Sequence, residues 1–576
     1  MCGIFALLNN SETITENVNN QFMKGVNRGP EFSKLDTSYQ NLILGFHRLA
    51  INGLNDESNQ PLIIDGIVLI CNGEIYNYKH LYKTMNVSPK TGSDCEVIIH
   101  MYLKYGIEQT LNMLDGVFAF VLYDTTKEEI YIGRDPFGVR PLYVYNHFYF
   151  NNSLSQFGFA SELKCLEHFY NDNEICSEYE SRKQIKQFTP GTYSVFKFNT
   201  TEVYNTPFWE LERPNVPYFI PTFSYTLMNN TFDEHMSNLW SNISHYFISA
   251  VNKRCLTTER PIACLLSGGL DSSLVAALVN NFYNFSGLTN KLETYSIGLK
   301  DSEDLKYAKI AAMYLDTNHT EIIVSEQLMF ETIPEVIQAL ESYDTTTVRA
   351  SIGNYLLGKF IKKNSKAKVI FNGDGSDELL GGYLYMNKCS NSIEFDKETR
   401  RLLKDIHLFD VLRSDKSISS HGLEPRTPFL DKSFVNFMLS IPYELRNHKY
   451  YNNFPHAYAG IEKFILRYAF SKELFKDYNG KPVLPDEILW RKKEAFSDGV
   501  STKGRSLYQI LQEKIAKKMT ADTGIQYEAN IETEKLYYKQ IFTKFYPNCE
   551  HIMPYYWMPK YTNATDPSAR TLDLYL

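Results

Sequence analysis

The chain changes rhythm once along its length, and that change limits what it can fold into. From Met1 to about Trp209 apolar residues mostly alternate in short runs, IFALL, NLILGFHRLAI, IVLIC and GTYSVFKF, while FAFVLYDTTKEEIYIGRD reads as a hairpin. Alternation of period two marks strands with one buried face. One helix is plain in this half: SDCEVIIHMYLKYG places Ser93 three residues before Glu96, which predicts a capping box. Residues from about Glu210 to Phe232 are rich in Pro, Asn, Thr and aromatics without a period, as in a linker. After it, PIACLLS, ETYSIGL, HTEIIV and KVIFNG are separated by helical stretches such as DLKYAKIAAMYLD, the order that builds a parallel sheet. Beyond about Leu379 the pattern is mainly helical. The expectation is two domains: an α+β, antiparallel-sheet unit over 1–209, a linker over 210–232, and an α/β, parallel-sheet unit with added helices over 233–576.

Composition excludes several function classes. A net charge of -8 spread over 576 residues leaves no basic surface for nucleic acid. No apolar run approaches the ~18 residues of a membrane span. Nine cysteines without a Cys-x-x-Cys pair form neither a disulfide framework nor a zinc site, which points to a reducing, cytoplasmic compartment. The thirteen histidines contain no His-Glu-x-x-His. Small polar or anionic substrates remain.

CLLSGGLDSSLVAAL, Cys264 to Leu278, reads as a buried strand, a glycine turn and a helix start. That layout aims backbone N–H groups and a helix dipole at an anion. Gly268 and Gly269 allow close approach, and Ser267, Ser272 and Ser273 add hydroxyls. Alone, S-G-G is an ordinary tight turn; the whole SGGLDSS between such a strand and such a helix favours phosphate. The usual Gly-Lys-Ser/Thr of a phosphate loop is absent, so the cation must come from elsewhere. Asp271 beside a phosphate requires a divalent cation between them, which points to Mg2+. A second acidic turn, FNGDGSDELLGGY, brings Asp374, Asp377 and Glu378 to the same sheet edge.

Cys2 follows the initiator methionine, and cysteine is small enough for that methionine to be removed. The chain would then begin with a thiol beside an α-amine of reference pKa ~7.7–8.0, nucleophile and base in one residue. A second-position cysteine is usually incidental, so its weight depends on its company. CNGEIYN reads as an Asn-Gly turn, Asp94 as a helix-start carboxylate, and Arg48 as a surface ion pair when each is taken singly.

Together these motifs resemble the glutamine-hydrolysing asparagine synthetases over nearly the whole chain. SGGLDSS looks like the pyrophosphate loop of ATP pyrophosphatases, which pass AMP to a carboxylate. IEKFILRYAF supplies Lys463 as candidate cation. YDTTTVRAS, EPRTPFLD around Arg426 and WRKKEAFSDGV also match in order. The first half resembles class II glutamine amidotransferases, whose fold is that of N-terminal-nucleophile enzymes. The resemblance implies a glutaminase with Cys2 as nucleophile and Asn72 and Gly73 as oxyanion donors. It implies glutamine binding by Arg48, Leu49, Ala50, Ile51, Asn52, Asn72, Gly73, Glu74 and Asp94, with Arg48 on the α-carboxylate and Asp94 on the α-amino group. For ATP and pyrophosphate it implies Leu265, Ser267, Gly268, Gly269, Asp271, Ser272, Ile297, Thr346, Arg349, Asn372, Gly373 and Lys463. Asp374 and Lys463 would be catalytic, and Asp271 and Asp377 would hold Mg2+.

The implied reaction joins AMP to the side chain of aspartate and then replaces it with ammonia from glutamine. Its partners are small molecules, with neither nucleic acid nor membrane, and the resemblance allows a homodimer. Three positions depart from the family's usual residues: Asn27 before RGP, and Asn372 and Asp374 in NGDG. They keep open a regulatory homologue with weakened catalysis. A different carboxylate-adenylating amidotransferase is the other rival; β-lactam synthetases, one such group, lack the N-terminal cysteine. Products formed from ATP, aspartate and glutamine discriminate among the three.

Overall fold

The computed structural model describes residues 2–10, 16–149, 155–171, 181–200, 207–219, 232–288, 290–502 and 504–572. The alternating first half forms two six-stranded antiparallel sheets. One runs in the order Ser181–Gln187, Tyr143–Tyr149, Gln156–Ala160, Gly3–Leu8, Leu42–Arg48, Phe32–Tyr39. The other runs Pro207–Pro217, Thr192–Thr200, Glu129–Arg134, Gly116–Asp124, Ile67–Ile75, Leu62–Ile64. Side chains of alternate positions meet between them: Ile4, Ala6 and Leu8 share a core with Leu42, Leu44 and Phe46, and with Val68, Ile70, Ala119 and Val121 of the facing sheet. The outer face of the second sheet packs Leu69, Phe118 and Phe120 on the helix Val97–Met113.

The capping box expected before that helix does not form. Ser93 makes no side-chain cap, and the Glu96 carboxylate turns back to accept the N–H groups of Lys90 and Thr91, both at 2.6 Å. Two backbone donors in a tight loop outcompete the helix start.

The second half has one five-stranded parallel sheet in the order Asn318–Val324, Glu293–Leu299, Ile262–Leu265, Val369–Phe371, Glu424–Arg426. The last strand falls in the EPRTPFLD stretch. Its Pro425 is tolerable because the strand is at the sheet edge, and its buried charges pair with each other, Arg426 Nε to Glu424 Oε1 at 2.8 Å. The strand Ile262–Leu265 is central, so the glycine turn after it opens at the carboxyl edge of the sheet, where ligands of open α/β sheets bind.

Of the expected linker, residues 210–217 lie in the strand Pro207–Pro217, and residues 220–231 lie outside the described residues. The helix Phe232–Leu256 then packs on the parallel-sheet unit. Leu49, Ile51, Tyr76, Val117, Phe137 and Val139 of the first unit join the same apolar core, so the two units are packed together there through apolar side chains. No helix among the described residues is long and apolar enough to cross a membrane.

Candidate active sites

The first site gathers at the start of the strand Gly3–Leu8. The backbone N–H of Cys2 donates to Asn72 Oδ1 at 3.2 Å, and its thiol lies 3.8 Å from the Leu49 carbonyl. Arg28 Nε donates to the Cys2 carbonyl at 3.0 Å while its Nη1 pairs with Glu162 at 2.7 Å and Asp415 at 2.8 Å. Burial pushes the Cys2 thiol up to about 11, against the pull of the positive chain terminus. Asn72 Nδ2 reaches Ser161 Oγ at 3.4 Å.

Asn72 and Gly73 do not form a turn. They sit within the strand Ile67–Ile75, opposite Ala119 and Phe118. A Cβ on Gly73 would come within 2.7 Å of the Val117 carbonyl oxygen, so glycine serves close strand approach here rather than chain reversal.

Asn52, Glu74 and Asp94 are brought together. Asn52 Nδ2 donates to Glu74 Oε2 at 2.9 Å and to Asp94 Oδ1 at 3.4 Å, and Ile75 N–H donates to Asp94 Oδ2 at 2.7 Å. Burial pushes Asp94 up to about 6 and, with Asp94 beside it, raises Glu74 well above the usual carboxylate range. Arg426 of the second unit stands 3.4 Å from Glu74. Arg48 is not a surface ion pair: its Nη1 donates to Asn55 O at 2.8 Å and Asn59 Oδ1 at 2.7 Å, and its Nη2 to the carbonyls of Asn52 and Gly53. It shapes the loop that carries Leu49 to Asn52. That loop is held from the other unit by Arg260 Nε on Ala50 O at 2.8 Å and Glu259 on Gly53 N–H at 2.8 Å.

The second site is a cavity of about 160 Å³ at the carboxyl edge of the parallel sheet. Its walls include Leu265, Ser267, Gly269, Asp271, Ser272, Ile297, Thr346, Asn372, Gly373, Asp374, Asp377 and Lys463. Gly268 shapes the loop from behind. Its φ of +72° is left-handed, and a Cβ there would lie 2.3 Å from Ala308 N. The helix Leu270–Phe285 begins without a side-chain cap, and Ser272 Oγ instead bonds Ser267 N–H at 3.1 Å. The buried hydroxyl of Thr346 has no protein partner.

Arg349, expected among the pyrophosphate ligands, is not a wall of the cavity. Its guanidinium is consumed by two buried carboxylates, Glu534 at 2.8 Å from Nε and Asp566 at 2.8 Å from Nη1. Helix geometry does not require this, because residues three apart share a face; the carboxylates of Glu534 and Asp566 draw the Arg349 side chain away from the cavity.

Asp271 and Asp377, expected to hold a metal, hold the ammonium of Lys463. Its Nζ is 2.7 Å from both oxygens of Asp271, 2.6 Å from Asp377 Oδ1 and 3.1 Å from Ser376 Oγ. Those contacts exhaust the three donors of an ammonium. Gly382 makes the seat possible, because a Cβ there would fall 1.9 Å from Lys463 Cε. Among the described residues no group of three or more His, Cys, Asp or Glu is arranged to hold a metal ion.

Five cavity cations were not singled out from the sequence: Arg413, Arg467, Arg491, Lys492 and Lys493. Lys493 donates to Asp377 Oδ2 and lies 3.7 Å from Asp271, and its side chain is 18% exposed against 1% for Lys463. Burial opposes the charge on Lys493, but Asp377 and Asp271 outweigh it and raise its pKa. Arg491 stacks on Tyr307 at 4.0 Å and reaches Ser267 O at 3.4 Å. The run WRKK could have signalled Arg491, Lys492 and Lys493, although a solvated lysine looks the same in sequence; Arg413 and Arg467 stand outside it. Of the departures, Asn27 is exposed on the turn Val26–Arg28, whereas Asn372 and Asp374 both line the cavity.

Residues 1–209 match the glutamine amidotransferase domain family, and residues 242–395 and 387–565 match the asparagine synthase family. The chain is 39% identical to the glutamine-hydrolysing asparagine synthetase of Cricetulus griseus, with 100% of this chain and 99% of that one covered. The values are 39%, 100% and 99% for the enzyme of Gallus gallus, and 38%, 100% and 99% for that of Homo sapiens.

Proposed function

The chain belongs to the glutamine-hydrolysing asparagine synthetases, and on that premise we propose that it makes asparagine from aspartate, ATP and glutamine through a β-aspartyl-AMP intermediate. The other products are glutamate, AMP and pyrophosphate. The observation that carries this reading is the bond between the nitrogen of Cys2 and Asn72 in a chain that also holds the SGGLDSS cavity.

Once Met1 is removed, the nitrogen that Asn72 Oδ1 holds is the α-amine. Oriented there, the amine takes the thiol proton, and the thiolate attacks the glutamine amide. This base is needed because burial keeps the thiol protonated near neutral pH. The Asn72 amide and the Gly73 N–H are the donors for the oxyanion, each worth about 3 kcal/mol where such donors have been removed. Asp94, ionised above about pH 6, supplies a negative charge for the α-ammonium of glutamine. Four oxygens around Arg48 take its Nη donors and fix its guanidinium, and its one remaining donor, Nε–H, with its positive charge serves the α-carboxylate.

In the cavity, the loop N–H groups and the hydroxyls of Ser267, Ser272 and Thr346 suit a pyrophosphate leaving group. Lys463 neutralises the aspartates beneath it, and Lys493, with donors to spare, meets the phosphates. The paired Asp374 and Arg413 stand where the aspartate carboxylate meets the α-phosphate. Mg2+ accompanies this reading: the hard oxygens of Asp271 and Asp377 have the right chemistry for it and would share it with the lysines. When bound it would neutralise phosphate charge. Ammonia released at Cys2 has to reach the cavity without entering bulk water, and the buried contacts between the units, apolar at Leu49, Ile51 and Tyr76 and ionic at Arg28–Asp415 and Arg426–Glu74, suit that need. The cysteines described are all free thiols, which supports a reducing, cytoplasmic setting. Aspartate labelled in its side-chain carboxylate oxygens tests the adenylation step: the acyl C–O bond breaks when ammonia attacks, so a labelled oxygen is expected in AMP, and label confined to inorganic phosphate would refute it.

A further inference from the structure

Lys493 lies on the segment 491–495, which belongs to no helix or strand. A side chain on such a segment reaches a fixed point only if the backbone beneath it is tethered. The tether is Glu462, whose Oε1 accepts the Lys493 N–H at 2.9 Å. Glu462 is 5% exposed and is itself locked by Arg467, which pairs with its carboxylate, donates from Nε to its carbonyl at 2.8 Å, and donates from Nη1 to the Leu489 carbonyl. The residue after Glu462 is Lys463.

One carboxylate therefore anchors both segments that bring ammonium groups to Asp377. Lys463 arrives from the residue directly after the anchor, and Lys493 from the backbone that the anchor binds. Each lysine would otherwise have an independent register relative to the aspartates, and misplacement of about 1 Å is enough to cost on the order of a hundredfold in rate.

We propose that Glu462 is a positioning residue for the synthetase cavity, acting through the Lys493 backbone to place a cation on the departing pyrophosphate. The inference rests on the reading of this cavity as the ATP site. Glu462 does not touch the reacting atoms: its side chain is spent on Arg467 and the Lys493 N–H. Its loss is expected to act on the pyrophosphate end of the reaction while leaving the Cys2 site untouched.

The test uses the full-length protein with Glu462→Ala, Glu462→Gln and, as a reference, Lys493→Gln. Read out are the inhibition constant of inorganic pyrophosphate, kcat and KM for ATP, and glutaminase turnover. Glu462→Ala is expected to raise the pyrophosphate constant and lower synthetic kcat by about tenfold or more, to shift both in the same direction as Lys493→Gln, and to leave glutaminase within twofold. Glu462→Gln keeps an acceptor for the Lys493 N–H and is expected to recover most of the loss. An unchanged pyrophosphate constant in Glu462→Ala overturns the proposal, as does a Gln variant as impaired as the Ala variant. If Glu462→Ala does not fold, Glu462→Asp, one methylene short of the tether, decides by the same constant: unchanged binding of pyrophosphate overturns the proposal. Wild-type protein that forms no AMP would instead refute the reading of the cavity.

Discussion

Arg413 Nη2 donates to Asp374 Oδ1 across 2.9 Å, so the shortened acid of the NGDG turn has a fixed cationic partner. Asn372 ties the same two elements together. Its Oδ1 accepts the Asp374 N–H at 3.3 Å and its Nδ2 donates to Ser414 Oγ at 2.6 Å, on the residue next to Arg413. The two departures in this turn thus belong to one arrangement, in which Asp374 and the helix Asp410–Ser419 hold each other in place.

Asp374→Ala is therefore expected to eliminate aspartate-dependent ATP–pyrophosphate exchange and to spare glutaminase. Asp374→Glu is expected to give no large gain, because the added methylene must displace the Arg413 contact. Exchange at the wild-type rate in the alanine variant would make Asp374 merely a turn residue.

Arg349→Ala tests the reassignment of Arg349. Removing the guanidinium leaves Glu534 and Asp566 buried without their partner, a loss of about 3–5 kcal/mol in comparable buried pairs. The thermal midpoint should fall clearly while the pyrophosphate inhibition constant of the folded fraction stays within about twofold. A normal midpoint with weakened pyrophosphate binding would restore Arg349 to the cavity.

Asp94 makes a prediction in pH. Its folded-state pKa, about 6, exceeds the ordinary 3.8, so the folded chain binds this proton more tightly than the unfolded one. The stabilisation is fully present below about pH 4 and is lost as pH rises through about 6, roughly 3 kcal/mol in all. Relative to Asp94→Asn, the wild type should lose stability over that window. Glutaminase kcat/KM should rise through the same window, since the ionised form binds the α-ammonium, and a flat profile would remove Asp94 from that role.

The parts legible in sequence were those with local causes. SGGLDSS carries its turn chemistry in seven consecutive residues, and the structure places it at the carboxyl edge of a central parallel strand. The alternation of IFALL and IVLIC likewise led directly to two packed antiparallel sheets. What escaped depended on distant partners. Asn-Gly is a strong turn signal, yet at Asn72 and Gly73 the passing strand Gly116–Asp124 requires a glycine without any turn. Arg349 lies three residues from a cavity threonine, and only the carboxylates of Glu534 and Asp566, about two hundred positions on, decide its direction. Lys493 and its anchor Glu462 are ordinary helix-or-surface residues until the fold brings them together.

Cys2→Ala separates the two domains' chemistry. Glutamine-dependent synthesis should vanish and ammonia-dependent synthesis should persist, and an uncleaved N-terminal extension, which converts the α-amine to an amide, should act the same way. Unimpaired glutamine hydrolysis in either protein would exclude Cys2 as the nucleophile.

The most direct measurement is the product balance of the purified wild-type protein given ATP, Mg2+, aspartate and glutamine. The account predicts asparagine, AMP and pyrophosphate in equal amounts, with glutamate formed at least as fast. ADP and phosphate as the stoichiometric products, or glutamate without any asparagine, would contradict it.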